Sequence, residues 1–342
     1  MSGVIVAPEL RDLDELATRL SRWLEAKTGG PVKVGNLSYP RGAGQSHETI
    51  LFDAAQSGET QGYVVRIKPG RFTVFPDDLF IQQFQIMEAM HKGEHVRLAR
   101  PYWFEHDPSV LGRPFFIMEK VAGRVPVSVP PYRDTGFVAE ATATQRRRMW
   151  EGGVHQLAAV QSLPAAEAQF LAGKDGERDG LNQEFAKYAR FVSWVQEDRP
   201  WPVLDEGLAR LKSLRPGNQP EGVVWGDARP GNIMFDDHFD PVAVMDWEQP
   251  SLGGALNDLG WWLSISESMH GAVGGKPHLE GMGTRAETIA LWEELTRKSA
   301  TGVEWYEDFA RLKHSCCHVR MCALRGLPPP DEKALAVRLK VN

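Results

Sequence analysis

Three cysteines in 342 residues are too few for a disulfide framework, and two of them, Cys316 and Cys317, are adjacent. That usage points to a reducing compartment. No apolar run approaches the roughly 20 residues a bilayer span requires. Glu9, Arg11 and Asp12 stand where a secretory leader needs its apolar centre, so a cytoplasmic protein is expected. A basic excess is missing too: 39 Lys and Arg face 45 Asp and Glu, a net charge of −6 with no long basic run. That balance excludes the electrostatic footprint of a partner that is nucleic acid or anionic membrane. Internal repeats and heptad arrays are absent. What remains, 42% hydrophobic and 25% charged, is an ordinary globular composition, long enough for a two-lobed domain or two domains with a substantial core.

The chemistry is densest in one stretch. Residues 223–235, which include Trp225-Gly226-Asp227-Ala228-Arg229-Pro230-Gly231-Asn232, and residues 242–248, ending Met245-Asp246-Trp247-Glu248, hold two short apolar runs that each end at a polar cluster. They read as short strands feeding a loop. Asp227 and Asn232 lie five apart, with Pro230 and Gly231 turning the chain between them, and Asp246 follows fourteen residues after Asn232. A carboxylate, a carboxamide and a second carboxylate at these offsets are the groups a phosphoryl-transfer site needs. One carboxylate orients the acceptor hydroxyl and takes its proton, while the amide and the other carboxylate hold Mg²⁺ on the phosphates. Two hairpin turns whose Asp and Asn bond their own backbone would use the same residue types. They would not call for this spacing and the later Asp together.

Gly226-Asp227 with Asn232, Met245-Asp246-Trp247-Glu248 and Asn257-Asp258-Leu259 resemble the aminoglycoside phosphotransferase / choline kinase-like family, small-molecule kinases with a protein-kinase-like fold. The resemblance runs from about residue 30 to about residue 265 and is strongest in the catalytic loop. It implies an α+β, bilobal kinase-like fold. A small lobe with a five-stranded antiparallel sheet would occupy residues 1–118, a hinge 119–123, and a large, mainly helical lobe 124–342. It implies ATP and Mg²⁺ as cofactors, Asp227 and Arg229 as catalytic residues, and Asn232 and Asp246 as metal ligands. Asp258 resembles a family Asp that accepts hydrogen bonds from the catalytic-loop backbone. Trp225 stands where the family has a His that organises the loop, so this departure bears on loop geometry rather than on the chemistry.

The nucleotide end is expected upstream. Arg41-Gly42-Ala43-Gly44-Gln45-Ser46-His47 lies between two strand-like runs, and glycines there let backbone N–H groups approach an anion. The resemblance makes this the nucleotide-covering loop, with Gly42, Gly44, Gln45 and Ser46 over the phosphates. In the strand at 63–68, Arg66 occupies the position where many kinases have Lys, with Lys68 on the same strand face. Arg keeps the charge and alters the reach. Gln83, on a helix over 79–91, replaces the family's Glu partner of that cation and supplies no counter-charge. The run Met118-Glu119-Lys120-Val121 looks like the hinge, where the carbonyl of Glu119 and the N–H of Val121 would meet the adenine edge.

Helices are expected over 10–27, 144–163, 182–197, 202–214, from 257, and over 291–301 and 305–324, with a flexible glycine-rich loop at 271–284. The Pro-rich passage 125–132 reads as a loop that could rim the acceptor. His314, His318 and Cys322 recur at four-residue steps, which invites a metal site, but core packing uses the same spacing and no Cys-x-x-Cys pair accompanies them. The function expected is ATP- and Mg²⁺-dependent transfer of the γ-phosphate to a small-molecule hydroxyl. The alternative is a catalytically weak, kinase-shaped nucleotide-binding module, which Trp225, Arg66 and Gln83 favour. No Ala-Pro-Glu follows Asp246, so a polypeptide acceptor lacks its usual platform. Aminoglycosides, macrolides, sugars, choline-like alcohols and hydroxyacyl compounds are all acceptors within the wider family. An acidic pocket would suit the first, whereas Trp261 and Trp262 suit a more apolar acceptor.

Overall fold

The computed structural model describes residues 11–40, 47–70, 73–173, 180–217 and 219–341. They gather into two compact units, Met1–Thr73 with Ala99–Val121, and Val74–Leu98 with Ala122–Asn342. The first unit holds α1 (Leu13–Thr28), β1 (Lys33–Ser38), β2 (Glu48–Gln56) and β3 (Glu59–Ile67). α2 (Phe80–Lys92) follows in the chain but belongs to the second unit, after which β4 (Pro101–Glu105), the single turn α3 (Pro108–Leu111) and β5 (Phe115–Glu119) return to the first. Its sheet has five antiparallel strands in the order β1-β2-β3-β5-β4, as expected. Asp12 caps α1 by accepting from the N–H groups of Asp14 and Glu15, and Gly29, at φ 78°, ends it in the left-handed conformation that glycine adopts without strain. Leu16, Leu20, Trp23 and Leu24 share the buried face of α1 and pack with Ile50, Phe52, Val65, Ile67, Phe115 and Ile117 of the sheet. Alternating burial along β2 shows why the sheet presents one face to that helix.

The second unit continues with α4 (Phe137–Glu140), α5 (Ala143–Ala159), α6 (Gly180–Trp194), α7 (Pro202–Ser213), the hairpin β6 (Ile233–Phe235) and β7 (Pro241–Val244), α8 (Leu256–Met269), α9 (Arg285–Thr296), α10 (Val303–Leu324) and α11 (Glu332–Leu339). α8 and α10 run against each other at its centre. Gly260 permits the approach: a Cβ there would stand 2.7 Å from the backbone carbon of Tyr306. No helix among the described residues is long and apolar enough to cross a membrane.

Two details differ from expectation. α9 begins at Arg285 rather than at residue 291, because Thr284 and Glu287 form a reciprocal capping box, and it ends at Arg297 in the left-handed region. α11 was not expected. It follows Pro328-Pro329-Pro330 and is started by Asp331, whose carboxylate accepts from the Ala334 N–H. The 271–284 segment, expected as a glycine-rich loop, is a loop that carries specific hydrogen bonds: Arg133 donates to the carbonyls of Gly271 and Pro277 at 2.6 and 2.5 Å, and Leu279 N–H donates to the His270 carbonyl.

Candidate active site

The β6–β7 hairpin brings Asn232 and Asp246 together. Ile233 lies opposite Val244, so the residue before β6 and the residues after β7 sit at the same end, and Met245 N–H donates to the Asn232 carbonyl at 2.8 Å. Asp246 takes φ 63°, a left-handed conformation that Asp tolerates better than most residues and that recurs at functional positions.

The loop before β6 is fastened from below. Val224 bridges Ser251, and the Asp258 carboxylate accepts the N–H of Trp225 at 2.7 Å and of Gly226 at 2.9 Å. Asp258 sits at the start of α8 and is buried. Desolvation pushes its carboxyl up to about 6 against the pull of those two N–H donors. Gly226 has φ 108°, and a Cβ there would fall 2.8 Å from the Gln249 backbone oxygen, so only glycine fits. Trp225 is fully buried beside Trp247 and donates its indole N–H to the Met245 carbonyl at 2.8 Å. One side chain therefore ties the Asp227 loop to the residue before Asp246, a loop-organising bond from the position where the family has His.

Asp227 is held at both oxygens. Its Oδ2 accepts from Arg229 Nε at 2.9 Å and from Asn232 Nδ2 at 2.6 Å, and its Oδ1 accepts from the indole N–H of Trp261 at 2.8 Å. Its side chain is nonetheless 32% exposed, so the carboxylate is both fixed and reachable. Arg229 spends a second donor on Ser128 Oγ at 2.6 Å, and the Asp227 charge outweighs burial in keeping its pKa above the ordinary arginine value. Gly231 makes room for this arrangement, since a Cβ there would strike the Arg229 guanidinium.

Asp227, Arg229, Asn232 and Asp246 thus come together in the second unit. Ser128 and Trp261 complete their shell, and sequence reasoning gave neither this part. Trp261 was legible in principle, because it lies three residues after Asp258 and so one helical turn further along the same face. Ser128 comes from the Pro-rich passage and carries no local signal.

The expected nucleotide-binding residues lie elsewhere. Gly42, Gly44, Gln45 and Ser46 fall outside the described residues. Arg66 is in the first unit on β3, opposite Thr49 and Phe116, and is buried rather than a solvated strand end; its guanidinium meets His47 Nδ1 at 3.2 Å. Glu119 ends β5 and Val121 lies two residues on; the N–H of Val121 donates to no backbone carbonyl among the described residues. Gln83 is buried in the second unit, and neither of its amide atoms finds a hydrogen-bond partner among the described residues. Those residues also contain no group of three His, Cys, Asp or Glu able to hold a metal, so His314, His318 and Cys322 form no such site.

Behind the loop lies a second polar cluster. Glu184 of α6 accepts from Lys313 Nζ at 2.7 Å and from Ser251 Oγ at 2.6 Å, with Lys187 Nζ at 3.8 Å. Lys313 also donates to Asn257 Oδ1 at 3.0 Å and stands 4.4 Å from the centre of the Phe309 ring, while Lys187 donates to the Gln249 carbonyl. Burial alone would raise the Glu184 carboxyl, but the two ammonium groups more than reverse this and hold it down to about 2. Ser251, Gln249 and Asn257 connect the cluster to the backbone that supports Val224, Gly226 and Asp258.

Comparison with known proteins places these features in a family. Residues 40–294 match the model of the phosphotransferase enzyme family. A putative aminoglycoside phosphotransferase from Ralstonia eutropha has the same fold, with a TM-score of 0.68 at 23% identity over 94% of each chain. Amicoumacin kinase, solved with AMP-PNP and Ca²⁺, matches at a TM-score of 0.55 and 14% identity over 96% of this chain and 95% of its own. Among curated proteins, a probable acyl-CoA dehydrogenase of Arabidopsis thaliana is 26% identical over 77% of this chain, and human acyl-CoA dehydrogenase family member 11 is 27% identical over 64%. The chain spans only 32% and 26% of the length of those two relatives. With the match covering most of its length and the kinase-like fold in place, the chain belongs to the phosphotransferase enzyme family.

Proposed function

We propose that this protein transfers the γ-phosphoryl group of ATP, bound with Mg²⁺, to a hydroxyl of a small molecule. The observation that carries the reading is Asp227: three donors fix its two oxygens, yet its side chain remains reachable from solvent. A carboxylate so fixed orients a hydroxyl through a remaining lone pair and accepts its proton late, since a loose phosphoryl-transfer transition state needs little prior deprotonation. Arg229, steadied by Asp227 and Ser128, keeps a positive charge beside that hydroxyl for the oxygens of the group in flight. Asn232 and Asp246 suit Mg²⁺. The carboxamide spends its nitrogen on Asp227, which leaves the carbonyl oxygen, and a carboxylate stands at the same end of the hairpin. Two hard oxygen ligands leave the remaining positions of a small divalent cation for phosphate and water. Bound there, the ion would neutralise charge on the phosphates. Arg66, Glu119, Val121 and the loop of Gly42, Gly44, Gln45 and Ser46 are the nucleotide contacts in this reading. The bond from Trp225 to Met245 supports an active enzyme over a weak binding module, because the loop keeps an organiser.

The names of the curated relatives put hydroxyacyl compounds first among acceptors to try, ahead of aminoglycosides, sugars and amino alcohols. The test is ADP release with Mg-ATP across such a panel, repeated with Asp227→Asn. That variant keeps size and some hydrogen bonding but not the proton acceptor. It should fold, bind Mg-ATP with near-normal affinity and lose acceptor phosphorylation by roughly two to four orders of magnitude. Wild-type turnover of a genuine acceptor by Asp227→Asn would sink the assignment.

A further inference from the structure

Next to Trp261 stand two nitrogen-bearing side chains that bond each other and, among the described residues, no carboxylate. Trp261, which holds Asp227 Oδ1, has its ring centre 6.4 Å from that of His314 on α10. His314 Nδ1 in turn lies 3.2 Å from Arg338 NH1 on α11. Arg338 is half-buried, and among the described residues no carboxylate lies within ion-pair distance of it. Its surroundings therefore work against its charge, and desolvation lowers its pKa from the ordinary arginine value. Two neighbouring lysines do have such partners: Lys340, two residues on, pairs with Asp308, and Lys313 of α10 with Glu184.

His314 shows what kind of surface this is. Its side chain reaches solvent, yet burial by its neighbours pushes its pKa down to about 4. Its ring joins Arg338 to Trp261, the residue that donates to Asp227, so the three side chains form one continuous patch. With Nδ1 accepting from the guanidinium, the neutral ring carries its proton on Nε2. The patch then offers the remaining guanidinium N–H groups and an imidazole N–H, all donors.

Resting on the phosphotransfer reading above, we propose that Arg338 and His314 form a subsite for an anionic group, a carboxylate or a phosphate ester, on the acceptor whose hydroxyl meets Asp227. A planar guanidinium without a protein carboxylate is matched by two anionic oxygens of a ligand. The same patch disfavours polycationic acceptors, because bringing an ammonium group against a guanidinium that no carboxylate among the described residues offsets adds repulsion where charge is already poorly solvated.

Two measurements test this. The first follows the His314 imidazole resonance by NMR, assigned with His314→Gln, while a hydroxyalkanoate, its amide, glycerol phosphate or an amino alcohol is added. The hydroxyalkanoate or glycerol phosphate should shift it saturably in the wild type, and whichever does so identifies the anion preferred. Neither amide nor amino alcohol should, and the shift should vanish in Arg338→Gln and return in part in Arg338→Lys. Equal response to acid and amide, no response to either anion, or a response unchanged in a folded Arg338→Gln would overturn the subsite. The second measures ADP release with the same compounds: Arg338→Gln should raise KM for the anionic acceptor about ten-fold or more and erase its advantage over the amide. Arg338-dependent anion binding without phosphate transfer to any hydroxyl would break the phosphotransfer reading and leave the subsite standing. Transfer that favours neutral or cationic acceptors and ignores Arg338 would do the reverse.

Discussion

Asp227, held by one cation and two neutral donors, and Glu184, held by two cations and a hydroxyl, lie in the same unit, but Asp227 keeps 32% of its side chain in solvent and Glu184 keeps 1%. The first cluster is assembled from residues close in sequence, plus Trp261 and Ser128. The second joins α6 to α10 across 129 residues. Their donors differ in kind as well. Arg229, Asn232 and Trp261 are planar groups that fix the direction of the Asp227 oxygens, which is what orienting a substrate hydroxyl requires. Lys313 and Lys187 are point charges that cancel Glu184 without directing it toward anything, which is what a support for the loop requires. Burial thus separates the carboxylate proposed to orient the acceptor from one that supports the fold.

The largest effect is expected where Glu184 loses its charge. In Glu184→Gln two ammonium groups remain buried with one partner fewer, a change expected to cost about 3–5 kcal/mol of stability. Chemical denaturation would measure it, and adding Lys313→Met should recover part of the loss. A cost under about 1 kcal/mol would mean that the cluster is solvated in the folded protein. The pH dependence has a definite sign. Because the folded carboxyl is held down to about 2 from an ordinary 4.5, its contribution is complete above 4.5 and is lost as pH falls toward 2.

Trp261→Phe sharpens the other half. It removes one donor from Asp227 and keeps most of the ring, so kcat should fall about ten-fold while the KM for nucleotide and the melting temperature hold nearly still. A fall in stability with no change in kcat would make Trp261 a packing residue, and Arg229 and Asn232 would then be enough to orient Asp227.

The two clusters also differ in how far the sequence revealed them. Asp227, Arg229, Asn232 and Asp246 were legible because one loop and one hairpin carry them, and turn residues fix their offsets. The five-stranded sheet was legible for a related reason: short apolar runs such as Tyr63-Val64-Val65 in β3 and Ile50-Leu51-Phe52 in β2 stand out in the one-dimensional pattern. Nothing local marks Glu184, Lys187 and Lys313 as a group, since charged residues on amphipathic helices ordinarily face water and only tertiary packing turned these inward. α11 was missed because eight residues show too little periodicity, and Arg338 was missed with it. The capping signal at Asp331 and the capping box at Thr284-x-x-Glu287 were present in the sequence and would have located both helix starts.

The smallest expected effect separates the two lysines. Lys313 has a short bond to Glu184, a second to Asn257 and the Phe309 ring centre 4.4 Å away, whereas Lys187 lies 3.8 Å from the same carboxylate and 5.5 Å from the Tyr188 ring centre and bonds the Gln249 carbonyl. Desolvation lowers the Lys187 pKa despite the attraction of Glu184, so its burial is only partly compensated. Lys187→Met keeps the stem and removes a poorly compensated charge, and should change stability by less than about 1 kcal/mol at neutral pH, where Lys313→Met costs more. The sign of the pH dependence follows. Between the depressed folded pKa and the ordinary 10.5, the unfolded chain binds more protons than the folded one, so wild-type stability rises with pH in that window and Lys187→Met lacks this rise. Denaturation at neutral pH and again near pH 10 should therefore find the wild type gaining on Lys187→Met. A constant difference would show that Lys187 is as well compensated as Lys313, and the cluster would be a symmetric pair of bridges around Glu184 rather than one strong bridge with a weaker neighbour.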